Sequence, residues 1–180
     1  QSGWLAHSDI SALIGTDDYL HIIWNAREYS PAAGGTWVHF FGSRLFHWDE
    51  NSNLVRVIKD ANWDLPDQDY CFGGAWNEMS IVKMQISECD GKFYALFAQF
   101  NDIFHGVTDD CHYTAFTAGN TSGTANGELY ISVSDNGGLN WDIARNLTNS
   151  YTPNCDTVGN TGSHVECDAD QWPSMSRFGM

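Results

Sequence analysis

Short runs of apolar and aromatic residues alternate with polar turn clusters along the chain, and no long stretch carries a helical stripe. A first set of runs covers Asp9 to Ile14, Tyr19 to Ala26, Arg44 to Asp49 and Leu54 to Lys59. A second covers Met79 to Ile86, Lys92 to Phe100, Glu128 to Ser134 and Trp141 to Arg145. Enrichment in Ile, Val, Phe, Tyr and Trp predicts that each is a β-strand. Thr36 to Phe41 offers a further strand or a loop excursion.

The two sets share one layout. Each has a first strand, a tight turn, a second and strongly aromatic strand, a long insertion, a third strand, a tight hairpin and a fourth strand. Leu20-His21-Ile22-Ile23-Trp24 aligns with Phe93-Tyr94-Ala95-Leu96-Phe97, and Arg44-Leu45-Phe46-His47-Trp48 with Leu129-Tyr130-Ile131-Ser132-Val133. A recurring four-stranded antiparallel unit predicts an all-β protein built from blades of a β-propeller. Blade one is expected over 9–59 and blade two over 79–145, and 172–180 opens a third. The chain starts at Gln1 and stops as a new apolar pattern begins, so both ends read as cut from something longer.

The last hairpin of the second unit reads Ser134-Asp135-Asn136-Gly137-Gly138-Leu139-Asn140-Trp141. It resembles the Asp-box of bacterial neuraminidase repeats, Ser-x-Asp-x-Gly-x-Thr-Trp. Ser134, Gly138 and Trp141 match, while Asn136 replaces the Asp and Asn140 the Thr. A short polar side chain at the third position can bond the turn's own backbone, Gly permits positive φ, and Trp packs beneath the hairpin. The resemblance implies a sialidase-like propeller in which this box is structural. The matching hairpin of the first unit, Asp49-Glu50-Asn51-Ser52-Asn53, lacks it.

Four connections are long: Arg27 to Ser43, Asp60 to Glu78, Asn101 to Gly127 and Asn146 to Gln171. In a blade, connections of this class leave from one face, and loops of that length inside a compact domain are usually functional. Arg27, Trp37, Trp63, Trp76, Tyr151 and Trp172 lie in or beside them. Aromatic rings beside carboxylates and amides suit a sugar ligand, the ring covering C–H faces while polar groups bond hydroxyls. The ordinary alternative is that each ring packs under its own loop.

The chain has five Cys and no C-x-x-C pair, which fits disulfides in an oxidising, extracellular setting better than zinc or redox chemistry. Cys155 and Cys167 share a loop and could staple it, and Cys71 and Cys111 could tie two loops together. Cys89, in a short turn, is the expected unpaired thiol. Sequence alone leaves this connectivity open.

With Lys and Arg totalling 8 against 23 Asp and Glu, the net charge is −15. Such a surface repels phosphate backbones and anionic membranes, so nucleic acid is excluded as a partner. No apolar run reaches the ~20 residues of a membrane-spanning helix. The acidity reads first as solubility and second as calcium binding, with Asp109, Asp110, Asp168 and Asp170 as candidate oxygen ligands. The scattered His, including His21, His39 and His47 within predicted strands, have no metal-ligand spacing and read as packing or rim residues.

The resemblance also implies what a sialidase needs: three Arg to clamp a carboxylate, a Tyr activated by a Glu, and an Asp as acid/base. Of Arg27, Arg44, Arg56, Arg145 and Arg177, only Arg27 begins a predicted site-facing loop. Two-carboxylate glycosidase chemistry would draw on Asp67, Asp69, Asp102, Asp109 and Asp110. The leading expectation is a secreted module that binds glycan, or another extracellular polymer or protein, through its loop face. The rival is a glycoside hydrolase completed by blades outside this chain. Two blades expose strand edges, so further blades are expected from the same polypeptide or from other subunits, including a ring of small subunits.

Overall fold

A computed structural model describes residues 3–32, 35–62, 80–100, 127–150, 170 and 173–178, with 30–32, 35–42, 62 and 100 as backbone only. Every regular element in it is a strand. β1 (Gly3–Ile14), β2 (Leu20–Ala32), β3 (Gly35–Asp49) and β4 (Val55–Asn62) form one antiparallel sheet in the order β1-β2-β3-β4. β5 (Ile81–Cys89), β6 (Lys92–Phe100), β7 (Gly127–Ser134) and β8 (Arg145–Asn146) form a second in the order β5-β6-β7-β8. The expectation of all-β, four-stranded antiparallel units is met.

Turn chemistry sets the registers. Asp90 and Gly91 both take positive φ, 50° and 70°, as a two-residue type I′ hairpin requires between Cys89 and Lys92. The β3–β4 turn is organised by the Asp49 carboxylate, which accepts from the Ser52 N–H at 2.6 Å and from Arg56 at 3.0 Å. After β7, the Ser134 hydroxyl accepts from Gly138 N at 2.9 Å, and Asn136 Oδ1 accepts from Asn140 N at 2.9 Å. Asn136 thus supplies the turn-bonding oxygen its position calls for.

Alternation along the strands sends one row of side chains from each sheet into a common core. Leu13, Ile23, Leu45 and Ile58 of the first sheet meet Met84, Ile86, Phe93, Ala95, Phe97 and Tyr130 of the second. Each large apolar side chain buried there contributes about 1.5–3 kcal/mol. Two histidines join this apolar seam: His21 and His47 are stacked, both essentially without solvent exposure, and Trp141 meets His47 edge-on at 5.3 Å. The other face of the first sheet stacks Trp24 on Phe46 and sets Arg44 over the Trp4 ring at 4.2 Å. Ile10, Ile14, Val55 and Val57 remain exposed.

Three sequence expectations need correcting. The first sheet begins at Gly3, ahead of Asp9, because β1 continues its pairing with β2 as far as Gly3↔Tyr29. Arg27 to Ser43 is no loop: β2 and β3 stay paired through Tyr29↔Val38 and Ala32↔Gly35, so the segment is a β-hairpin extension. The polar and Pro/Gly-rich composition of its tip resembled a loop, yet backbone ladder bonds form whatever the side chains. The last predicted strand shrinks to Arg145–Asn146, since Trp141 turns into the core and Asp142 is held by its main chain to Val133 and Ser132.

Candidate functional site

Between the sheets, the two first strands lie side by side and run in the same direction. Contacts climb both strands together: Asp9 with Lys83, Ser11 with Ile86, and Thr16, just past β1, with Glu88. The links are side chain to main chain rather than a backbone ladder. Ile86 N donates to Ser11 Oγ at 3.2 Å, and Thr16 N donates to the buried Glu88 carboxylate at 2.7 Å, joined by a short bond from the Thr16 hydroxyl. β5 is also flanked by residues 173–178, here partly through main-chain bonds. Met175 N donates to Gln85 Oε1 at 2.5 Å, Glu88 N to Arg177 O at 2.9 Å, and Glu88 forms a parallel bridge with Phe178. Residues 173–178 therefore lie along β5 as β5 lies along β1.

Two bulges meet at one end of this row. In β1, His7, Ser8 and Asp9 stand opposite the single residue Asn25. Asn25, fully buried, fills the gap: its Oδ1 accepts from Ser8 N and Asp9 N, each at 3.1 Å, and its Nδ2 donates to Ile81 O at 3.0 Å. One amide therefore shapes the bulge and ties it to the start of β5. In β5, Lys83 and Met84 stand between the pairs Val82↔Ala98 and Gln85↔Leu96, and Lys83 has a φ of 55°. A non-glycine residue in that region carries strain of about 1–2 kcal/mol. The bulges interlock: Lys83 N donates to Asp9 Oδ2 at 2.8 Å, and Lys83 Nζ lies 3.5 Å from Asp9 Oδ1. Bulges re-aim side chains, and strain of this kind persists where surrounding structure enforces it.

The Asp9–Lys83 pair borders a cleft of about 230 Å³ that Gln85 and Pro173 also line. A neighbouring cleft of about 350 Å³ lies between Ser11, Gln85, Met175 and Arg177. The larger reaches the lower end of the range seen for small-ligand sites. The walls pair hydrogen-bonding groups with Ile10 and Met84, so polar and apolar parts of one ligand could both be met. Asp9 is the sole carboxylate among the described residues lining either cleft, and Arg177 the sole Arg.

The residues singled out from sequence fall elsewhere. Arg27 is a correction: it sits within β2, paired with Leu5 and Ser43 and only 7 % exposed, not at the head of a loop. Trp37 lies in β3 opposite Ser30. Trp63, Trp76, Tyr151, Trp172, Asp109, Asp110 and Asp168 lie outside the described residues, as do Cys71, Cys111, Cys155 and Cys167. Asp170 binds through its N–H to Gly127 O and through Oδ2 to the Ser150 hydroxyl, each at 2.6 Å. No group of three or more His, Cys, Asp or Glu is placed to hold a metal ion among the described residues. Ser134, Asn136, Gly138 and Trp141 are brought together as one hairpin packed on His47, and Cys89 is a free, partly exposed thiol.

Sequence reasoning missed Asp9, Lys83, Gln85 and Arg177. The available signal was Lys83 and Gln85, two polar residues inside the otherwise apolar run Ile81-Val82-Lys83-Met84-Gln85-Ile86. Comparison of the chain with protein-family models, curated proteins and solved structures finds no match. Among the described residues, no helix is long and apolar enough to cross a membrane.

Proposed function

We propose that the chain supplies blades of an extracellular β-propeller that binds a glycan, or another extracellular polymer or protein, at the cleft between its first strands. One observation carries this reading: β1, β5 and residues 173–178 run parallel around a cleft, as first strands around a propeller axis would, with a strained Lys83 fixed at its rim. The Ser134–Trp141 hairpin, placed between third and fourth strands as in neuraminidase repeats, supports the same architecture. By chain order, the long connections holding Trp63, Trp76, Tyr151 and Trp172 lead into β5 and into 173–178 at the end where Lys83 and Pro173 stand.

Binding is preferred over glycoside hydrolysis on the chemistry of the cleft. Among the described residues the clefts hold one carboxylate, Asp9, and one Arg, Arg177, whereas two-carboxylate catalysis needs a second carboxylate and a sialidase two more Arg. Segments outside the described residues, or further blades from the same polypeptide or other subunits, would have to bring them.

The test is amide shift perturbation of the chain by a panel of neutral and acidic oligosaccharides. The reading expects shifts centred on Asp9, Lys83, Gln85 and Met175, and binding weakened at least tenfold by Asp9→Asn but unchanged by Arg145→Gln. Ligands that perturb only the exposed outer strands, or a panel without any binder, would overturn it.

A further inference from the structure

Where the front of the first sheet meets the second, the polar chain Asp17–His21–His47 enters an otherwise apolar core. Asp17 Oδ2 lies 3.2 Å from His21 Nε2, and His21 Nδ1 lies 3.1 Å from His47 Nε2. A carboxylate can only accept, so it holds the His21 proton on Nε2 and leaves Nδ1 to accept from His47 Nε2–H. His47 Nδ1 then carries a lone pair. That atom is buried without a hydrogen-bond partner, and so is the N–H of Trp141, whose ring meets His47 edge-on. The second sheet closes the site tightly. Phe93 covers His21 at 4.1 Å between ring centres, and Gly138 lies so near His47 that an added Cβ would stand 2.1 Å from Cε1.

We infer that the His21–His47 stack is an acid-sensitive latch, holding the first sheet against the second while His47 is neutral and releasing it when His47 takes a proton. The new proton has to enter at Nδ1, in the one place where the second sheet presents no carboxylate. Facing groups from every side bear this out. The first sheet offers His21, Asp17, Asp49 and Arg56, and the hairpin after β7 offers Gly138 and Trp141, which carry no charge. From β5, Glu88 is already bonded to Thr16. Burial, then the neighbouring His21 and Arg56, hold the His47 pKa down at about 4, outweighing the opposing pull of Asp49 and of the Gly138 backbone.

The sign follows from linkage. His47 is depressed in the folded chain relative to its ordinary 6.5, so the unfolded chain binds the extra proton between pH 6.5 and about 4. Stability is full above that window, falls as pH drops through it, and levels off below. One proton of difference raises the unfolding equilibrium constant about tenfold per pH unit, roughly a few hundredfold across the window.

The experiment follows near-UV circular dichroism and the urea midpoint of the whole chain from pH 7.5 to 3.5, in wild type and in His47→Gln. Gln can still donate to His21 but does not titrate. Wild type is expected to lose midpoint steadily below pH 6.5, with the Trp signal changing before secondary structure; His47→Gln removes about one proton's worth of that slope. An unchanged slope in His47→Gln overturns the latch. If that variant does not fold, the His47 Cε1–H resonance of wild type decides: titration near 4 supports the latch, and titration near 6.5 overturns it.

Discussion

Gly138→Ala sets the packing between the sheets against a neighbour that experiences none of it. Gly137 and Gly138 are adjacent and take similar φ, 73° and 81°, so alanine at either meets the same left-handed strain. That strain costs about 1–2 kcal/mol. Their surroundings differ completely: a Cβ at Gly137 meets nothing within 4 Å, whereas one at Gly138 would overlap the His47 ring at 2.1 Å from Cε1 and 2.8 Å from Nδ1. His47 has no room to retreat, since His21 is stacked on it and Trp141 meets its edge. Overpacking of that kind adds roughly 1–3 kcal/mol. Gly137→Ala is therefore expected to cost about 1–2 kcal/mol and Gly138→Ala about 2–5 kcal/mol. Urea denaturation at pH 7.5, followed by Trp fluorescence, gives both numbers. A double-mutant cycle isolates the contact: with His47→Ala already in place, Gly138→Ala falls back toward the Gly137→Ala value, a coupling of about 1–3 kcal/mol. Equal costs at the two glycines, or no coupling to His47, would refute the proposed packing of this hairpin on the first sheet.

Other perturbations probe the bulges and the charged turn. Asn25→Ala strands the N–H groups of Ser8 and Asp9 and the Ile81 carbonyl, and is expected to destabilise by about 2–4 kcal/mol in the same urea assay. Lys83→Gly should cost about 1 kcal/mol less than Lys83→Ala, because glycine takes a φ of 55° without strain; the reverse order would argue against the bulge. At Asp49, burial favours the neutral acid, yet bonds from Ser52 and the charges of Arg56 and His47 outweigh it and hold the pKa below 3.8. Its contribution is thus present above pH 3.8 and lost as pH falls further, so Asp49→Asn should lower stability at pH 7 and flatten the profile below pH 4. Urea midpoints at pH 3, 4 and 7 check this.

Much of the strand pattern was legible because a half-buried strand writes itself as alternation. Tyr19 to Ala26 and Lys92 to Phe100 could be read that way, and the Asp90-Gly91 turn followed from residue type alone. The hairpin at Ser134–Trp141 was legible for the same local reason. Arg27 misled because the hairpin beyond it is held by main-chain bonds, which leave no side-chain signature. The Asp9–Lys83 contact joins residues 74 apart through two bulges, and nothing within either strand announces where its partner lies. The His21–His47 stack was invisible as well. Each His occupies an inward position of its own strand, and only the register of β2 against β3, which sets Ile23 opposite His47, brings the rings into contact.

β1 and β5 run side by side, and zero-length carbodiimide coupling reads this most directly. The chain has only Lys59, Lys83 and Lys92 as side-chain amines, and Lys83 Nζ lies 3.5 Å from Asp9 Oδ1. Peptide mass mapping of the monomeric product should show an isopeptide bond between Asp9 and Lys83 as the dominant internal link, lost in Asp9→Asn. Asp9 joined instead to Lys59 or Lys92, or Lys83 joined only to other carboxylates, would contradict the side-by-side first strands and the cleft between them.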